Sequence, residues 1–269
     1  MRLVPALLVA ACLAASAQPA PEAGDDKRGY TDTPQLPGQP WKVHDAARQR
    51  PPKIRGVING APPSDAVVLF NGKDLSNWIS PARNGGSTEP RWKVGNGYFE
   101  IAPNSGPLRT KEKFGDMQLH VEWMIPKGTG GQGQSAGNSG IEIMGHYEIQ
   151  VLESSQNVTY ADGQAGAIYG QWPPLVNPAN PEGEWNTYDI VFEAPKFEGD
   201  KLAKPAYVTV FFNGVIVHNR KEIIGAAVHR RVGVYRPHPA EEPLQLQDHH
   251  HAIRYRNIWA RRLKGYDQQ

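Results

Sequence analysis

The sequence has almost no cysteine: Cys12 is the only one in 269 residues. A lone thiol excludes a disulfide framework within the chain and a cysteine-based metal site. Long apolar runs are also scarce, and the one at the N-terminus, Leu3 to Ala15, is too short to cross a bilayer as a helix. Lys and Arg total 29 against 27 Asp and Glu, so we expect no nucleic-acid partner and no transmembrane segment.

The N-terminus has the layout of a secretory signal. Arg2 precedes the apolar run, and the small-residue sequence Ala15-Ser16-Ala17 follows it. We therefore predict a signal peptide over residues 1–17 and an exported protein, periplasmic or extracellular. A lipid-anchored form is the alternative, because Val9-Ala10-Ala11-Cys12 is similar to a lipoprotein cleavage site.

Glycine and proline are abundant, at 28 and 24 residues, and they interrupt helices and favour turns. Residues 18–63 are rich in proline and charge, and we interpret them as an N-terminal arm. From residue 64 to 264 the pattern changes to short segments whose apolar residues alternate, which is typical of strands. The sequence therefore predicts an all-β domain there, a β-sandwich or jelly roll with long loops.

The clearest strand pair is a hairpin around Asn213-Gly214. This dipeptide separates two β-rich runs, Tyr207–Phe212 and Val215–Val217, and both of its residues tolerate the positive φ of a tight turn. Two segments, 127–140 and 154–183, have little strand character, and we expect them to rim one face. Further strands are predicted at Val67–Phe70, Gln118–Pro126, Tyr147–Leu152, Thr187–Phe192 and Ile253–Trp259.

Several stretches, in order along the chain, resemble the 3-keto-disaccharide hydrolase family. They are Leu69–Trp78, Phe114–Trp123, Asn138–Ile141, Tyr147–Glu153 and Leu244–His249, joined by the insert Tyr160–Pro174. The resemblance covers about residues 64–264 and implies a concanavalin A-like jelly roll, usually exported, that acts on sugars oxidised at C3. The chain departs from the family pattern at His250-His251, where Gly or Asn is expected.

Glu148 and Gln150 are the first candidates for the site, because residues two apart on a strand share a face. That face carries a single carboxylate, whereas a retaining glycosidase needs two about 5 Å apart. A second carboxylate could come from a neighbouring strand. Glu148 is therefore a candidate catalytic group and Gln150 a candidate substrate ligand, with a solvated strand face as the alternative.

Three further polar residues precede Glu148. Glu122 lies opposite the apolar face of its strand, which fits a catalytic group or a plain solvent-facing position. Asn138 and Glu142 flank Ser139-Gly140, where a turn and a close approach of the backbone to a ligand both remain open. We treat Asn138 and Glu142 as candidate substrate ligands.

The remaining candidates lie in the C-terminal half. His249 follows Gln247-Asp248, and a histidine beside an aspartate is a polarised base, a metal ligand or an exposed strand end. Gln247 and Asp248 are candidate substrate ligands. Tyr169 and Trp172 are candidates for stacking on a sugar ring, and packing of the insert onto the sandwich is the alternative.

A 3-keto group acidifies the C2 proton, so a single base can start an elimination that expels the C1 substituent, and water can then add. We expect Glu148 or His249 as the base, with Glu122, Glu142 and Gln150 as orienting groups or metal ligands. The enolate needs a His, an Arg or a divalent cation; the metal is left open and no organic cofactor is expected. A lectin-like binding module and a conventional two-carboxylate glycosidase are the alternatives to this carbohydrate-cleaving enzyme.

Overall fold

The structure is a computed structural model that describes residues 27–82 and 88–267. The predicted signal peptide and Cys12 lie outside the described residues. The chain divides into two units, residues 1–52 with 266–269 and residues 53–265. In the described part of the first unit, the side chains of Trp41 and Arg48 both bond to Asp267. No helix in the described ranges is long and apolar enough to cross a membrane.

The second unit is built from short strands, which confirms the predicted all-β class. Its two described helical segments are single 3₁₀ turns, Gly133–Ser135 and Ala161–Gly163. The strands are β1 Val67–Phe70, β2 Trp78–Ile79, β3 Lys93–Gly95, β4 Tyr98–Glu100, β5 Leu108–Phe114, β6 Met117–Met124, β7 Ser139–Ile143, β8 Tyr147–Val151, β9 Asn186–Glu193, β10 Lys196–Glu198, β11 Lys201–Lys204, β12 Tyr207–Phe212, β13 Val215–Glu222, β14 Glu242–Leu246 and β15 Arg254–Arg262.

The strands form two main antiparallel sheets and one small hairpin. The larger sheet has the order β13-β12-β9-β6-β15-β4-β3, with β1 also paired to β15. The smaller sheet has the order β2-β5-β14-β7-β8, and β10 pairs with β11 alone. Because most neighbours in the larger sheet, such as β6 and β15, are not consecutive in sequence, the chain crosses between sheets several times, as a jelly roll does.

The core lies between the two sheets. Along β6 the alternate residues Met117, Leu119, Val121 and Trp123 are each no more than 1% exposed, and the residues between them face away from the core. Aromatic rings and hydroxyls join the layers: the hydroxyl of Tyr188 on β9 donates to the carbonyl of Gln150 on β8 at 2.8 Å. Strands β7 and β8 are therefore fixed over the core by one face, which leaves their other face for a site.

The predicted hairpin is confirmed, since Asn213 and Gly214 join β12 to β13 with φ of 50° and 78°. Both predicted loops are also present, between β6 and β7 and between β8 and β9. The second loop covers the free edge of β8: the amide of Gly166 bonds to Gln150 O, and that of Tyr169 bonds to Glu148 O at 3.1 Å. Covering this edge removes an exposed row of peptide groups and places Tyr169 beside Glu148.

Candidate active site

A polar cleft of about 510 Å³ lies on the face of the smaller sheet that points away from the core. Strands β7 and β8 form its floor, and the loops after β6, β8, β13 and β14 form its walls. Its size suits a small polar molecule. The structure brings seven of the sequence-predicted residues to this cleft: Asn138, Glu142, Glu148, Gln150, Tyr169, Gln247 and His249.

The second carboxylate on the Glu148 face comes from the neighbouring strand. Glu142 on β7 is the direct cross-strand partner of Glu148 on β8, and Gln245 on β14 is the partner of Glu142. Arg109 on β5 stands opposite Gln245 and donates to its side-chain oxygen at 2.5 Å. A row of polar side chains thus crosses four strands, from Arg109 to Glu148, with cross-strand neighbours in contact distance.

Glu148 is deeply buried for a carboxyl group, with 6% of its surface exposed. Burial raises the pKa of Glu148 to about 8, and the negative charge of Glu142 adds to the shift. Its space comes from Gly140: a methyl group at that position would lie 2.4 Å from Glu148 Oε1. The Gln150 amide lies 2.9 Å from the same oxygen. Near neutral pH the Glu148 carboxyl therefore holds a proton and can donate it.

Glu142 has a different environment. Its carboxylate accepts hydrogen bonds from the Gln245 and Gln247 amides. Burial raises the pKa of Glu142, while Gln245, the charge of Arg109 and Gln247 oppose that shift. Glu142 is therefore held from the β14 side, whereas Glu148 lies over Gly140. Burial thus raises the pKa of both carboxyl groups, and only Glu142 has neighbours that oppose the shift.

His249 forms part of the wall after β14. Partial burial lowers the pKa of His249, the neighbouring His251 and His250 lower it further, and Asp248 opposes them. The rings of His249 and His251 are parallel with centroids 6.3 Å apart, and His251 Nδ1 accepts the amide of Asn138 at 3.2 Å. His249 is thus a neutral imidazole near pH 7, which can accept a proton.

Tyr169 and His229 form the opposite wall. The Tyr169 hydroxyl lies 2.9 Å from His229 Nδ1 and 3.0 Å from the Tyr160 hydroxyl. Partial burial, then the hydrogen bond to Tyr160, raises the pKa of Tyr169, so its hydroxyl keeps its proton. Gln134, whose side chain bonds to Gln150, closes the floor.

Sequence reasoning missed several residues that line the cleft, and four of them carry side chains that can bear on its chemistry. Gln134 lies in the glycine-rich loop that was expected to rim a face, and Tyr160 is the first residue of the predicted insert. The sequence position of both residues therefore indicated that they could line a site. His146 sits in the turn between β7 and β8, and His229 lies in the loop after β13. Neither histidine stands in a pattern that separates it from an ordinary loop residue.

Three sequence-predicted residues do not line the cleft. Glu122 lies on the larger sheet, where Arg256 and Asn257 bond to its carboxylate. The indole nitrogen of Trp172 donates to Glu222 O, and Lys221 lies 3.3 Å over its ring, so Trp172 packs the insert onto β13. Asp248 accepts the amides of Gly106 and His250 and shapes its loop.

Within the described ranges, no group of three or more His, Cys, Asp or Glu side chains has the arrangement that could hold a metal ion. His249, Glu148 and Glu142 all line the cleft, but the groups around them are amides, a guanidinium and other imidazoles. The chemistry that these residues offer by themselves is proton transfer: one carboxyl that holds a proton and one imidazole that accepts one.

Comparison with known proteins places the chain in a family. The family model of the 3-keto-α-glucoside-1,2-lyase-like domain matches residues 65–261. A crystal structure from Parabacteroides distasonis, provisionally assigned as a glycosyl hydrolase, is 38% identical with a TM-score of 0.74, and the match covers 85% of this chain and 100% of that one. A second structure from that organism, with the same provisional assignment, is 19% identical with a TM-score of 0.54 over 74% and 94% of the two chains, and shows the fold alone.

No curated protein matches the chain. The family match nevertheless spans most of the sequence, and it covers every strand of the two sheets up to Arg261. The resemblance seen in the sequence motifs is thereby confirmed. The chain belongs to the family of 3-keto-α-glucoside-1,2-lyase-like domains and is a carbohydrate-active, hydrolase- or lyase-like protein.

Proposed function

We propose that this protein cleaves the glycosidic bond of 3-keto-glycosides outside the cytoplasm, by proton abstraction at C2, elimination and hydration. One observation carries the proposal: a proton-holding carboxyl, Glu148, and a proton-accepting imidazole, His249, line the same cleft. The family match supports the substrate class, since its model is named for a lyase acting on 3-keto-α-glucosides.

His249 is the base in this scheme. Its imidazole takes the C2 proton, and the electron pair of the C2–H bond moves into an enolate with the C3 carbonyl. The enolate then expels the C1 substituent: a C1=C2 double bond forms, the C1–O1 bond breaks, and the leaving oxygen takes the proton of Glu148. A general acid with a pKa near the working pH suits this second step.

Hydration restores the resting state. Water adds to C1 of the enone while Glu148, now ionised, takes its proton. The imidazolium of His249 returns a proton to C2. The net result is hydrolysis without a nucleophilic carboxylate, because the keto group stabilises the negative charge that the C2 carbon cannot hold alone.

The oxyanion at C3 needs a hydrogen-bond donor or a cation. We assign the donor to the Tyr169 hydroxyl, which keeps its proton and is oriented by Tyr160 and His229. Preorganised donors of this kind contribute about 2.7–4 kcal/mol to a barrier. A divalent cation in the cleft is the alternative source of stabilisation, and a chelator distinguishes the two.

A conventional glycosidase is the second candidate, and one observation favours it. Glu142 and Glu148 are direct partners across β7 and β8, and side chains so placed have Cβ atoms about 4.5–5.5 Å apart, so their carboxyl groups can reach the separation of about 5 Å that a retaining pair needs. The proton-holding Glu148 would be the acid and Glu142 the nucleophile. Their carboxyl groups are held from different sides, over Gly140 and toward Gln245, and we therefore rank this second.

The test is product analysis with a 3-keto-disaccharide beside its unoxidised parent, with and without a chelator. The proposal expects cleavage of the keto sugar alone. Glu148→Gln and His249→Asn should each lower kcat by at least about 100-fold. The matched controls are Glu184→Gln and His44→Asn, which change exposed residues outside the cleft; His44 has φ of 52°, a conformation that Asn tolerates.

Other outcomes point elsewhere. Cleavage of the unoxidised parent, abolished by Glu142→Gln, would support the conventional glycosidase. Binding of either sugar without any product would support a lectin-like module. Full activity of Glu148→Gln or of His249→Asn would remove that residue from the mechanism.

A further inference from the structure

A second pocket of about 760 Å³ adjoins the cleft. The two share Gln134, Tyr160, Tyr169 and His229, so a molecule that fills the cleft can extend into this pocket without leaving the protein surface. Its far wall is the loop between β13 and β14, which contributes Arg230 and Arg231. In the proposed reaction the substrate has two parts, and the cleft accounts for only the keto sugar.

The wall has a one-sided charge. Residues 227–238 contain three arginines and two histidines and no Asp or Glu. Arg230 and Arg231 are exposed, and among the described residues their guanidinium groups form no ion pair. The carboxylate among the lining residues is Asp162, which lies in the loop after β8 and not in this loop. Two unpaired guanidinium groups at the edge of a cleft attract an anion.

This loop is firmly anchored despite its lack of regular structure. The Tyr235 hydroxyl donates to Ile223 O at 2.6 Å and accepts the amide of Ala206 at 2.8 Å. The Gln171 side chain bonds to Gly225 O at 2.9 Å and accepts the amide of Ile224 at 2.7 Å. Gly225 and Gly233 pack so closely that a methyl group on either would overlap the other arm of the loop.

The tip of the loop is tied to the site. His229 bonds to the Tyr169 hydroxyl, as described above, and the next residue, Arg230, has φ of 57°. A bulky side chain rarely adopts this left-handed conformation, and such residues are common where a side chain must be aimed. The anchored ends of the loop and its constrained tip together place the backbone of the two arginines at the edge of the pocket.

We propose that this pocket binds the leaving group of the substrate, and that Arg230 and Arg231 select a leaving group carrying an oxyanion, a carboxylate or a sulfate ester. The inference rests on the proposed function of the adjoining cleft. Guanidinium groups pair with such oxyanions by two parallel hydrogen bonds. The neutral remainder of the sugar would contact the exposed ring of Tyr160 and the half-buried ring of Tyr169.

Binding measurements test the selection without turnover. The affinity of Glu148→Gln protein is measured by calorimetry for a disaccharide with a neutral, a uronic acid or a sulfated second sugar. We expect at least one oxyanion sugar to bind about tenfold more tightly than the neutral one at low salt, with the difference shrinking as salt rises. Comparing the uronic acid sugar with the sulfated sugar shows whether the pocket prefers a carboxylate or a sulfate ester.

The double variant Arg230→Gln/Arg231→Gln, made in the same protein, should lose this preference while still binding the neutral sugar. Arg55→Gln removes an exposed arginine away from the pocket and should keep the preference. Equal affinity for the three sugars in the parent protein, or an undiminished preference in the double variant, would overturn the inference. Cleavage of the neutral keto-disaccharide by otherwise wild-type protein tests the proposed function separately.

Discussion

Replacing Gly140 with Ala would place a methyl group against the carboxyl group of Glu148. The new Cβ would lie 2.4 Å from Oε1, 2.9 Å from Cδ and 3.0 Å from Cγ of that side chain. The backbone itself accepts alanine, because Gly140 is not among the residues with positive φ. The substitution is therefore a steric probe of a single contact, and overpacking of this kind costs about 1–3 kcal/mol.

A double-mutant cycle isolates that contact. We expect Gly140→Ala to lower the free energy of unfolding by about 1–3 kcal/mol in the wild type and to have little effect in Glu148→Ala protein, which lacks the three overlapping atoms. Urea unfolding of the four proteins measures the difference, and Gly95→Ala, on a strand with open space at its Cβ, is the control. The reasoning fails if Gly140→Ala has the same cost in both backgrounds.

The same variant has a catalytic consequence. If the protein folds, the carboxyl group must move by several tenths of an ångström or more to avoid the methyl group. Since misplacement of a catalytic group by about 1 Å costs about 100-fold in rate, cleavage of the keto sugar should fall well before stability is lost. An unchanged rate in folded Gly140→Ala protein would show that the position of Glu148 does not matter.

The remaining predictions concern protonation. Because the pKa of Glu148 is raised from 4.5 to about 8, the native state keeps a proton that the unfolded chain loses, and stability falls as pH rises through that window. As pH rises, Glu148→Gln should therefore gain stability relative to the wild type by up to about 1.4 kcal/mol per pH unit. Urea unfolding should show a larger difference in unfolding free energy between the two proteins at pH 8 than at pH 5, and an equal difference at both pH values would contradict this. The rate of keto-sugar cleavage should decline above about pH 8, where Glu148 ionises; a pH-rate profile that stays flat to pH 9 would exclude it as the acid. On the larger sheet, burial opposes the charged form of His120, but bonds to Asp189 and Glu122 raise its pKa to about 9. The stability that charged His120 adds is fully present below pH 6.5 and is lost as pH rises to 9. Over that window the wild type should lose about 2 kcal/mol of unfolding free energy relative to His120→Gln, after allowance for solvent screening at Asp189, whose side chain is 40% exposed. Parallel curves of stability against pH for the two proteins would refute this prediction.

The fold was accessible to sequence reasoning because its signals are local. Alternation along β6 and β8 gives the buried face of each strand, and Asn213-Gly214 gives a turn. The order of strands in the two sheets had no such signal. β14 lies between β5 and β7, although it follows β7 by about a hundred residues, and only packing of the whole chain decides that neighbour.

The site was only partly accessible for the same reason. The face of Glu148 was readable from its own strand, but its partner Glu142 depends on the register of β7 against β8. Glu122 has the same local alternation as Glu148 and stands on the other sheet, because alternation tells which residues share a face and not what covers that face. His229 comes from a loop whose path is set by Tyr235 and Gln171.

The choice between the two chemistries of the cleft depends on what surrounds each carboxyl group. A retaining glycosidase needs both carboxyl groups to converge on one carbon, with one of them ionised. Here the ionised form of Glu142 is engaged by two amides from the β14 side, and Glu148 turns over the gap at Gly140. Hydrogen bonds to the attacking oxygens lower the nucleophilicity of a carboxylate, whereas neither contact hinders proton transfer. The arrangement therefore favours a reaction whose steps are proton transfers, and a keto group beside the reacting carbon is the feature that makes proton transfers sufficient.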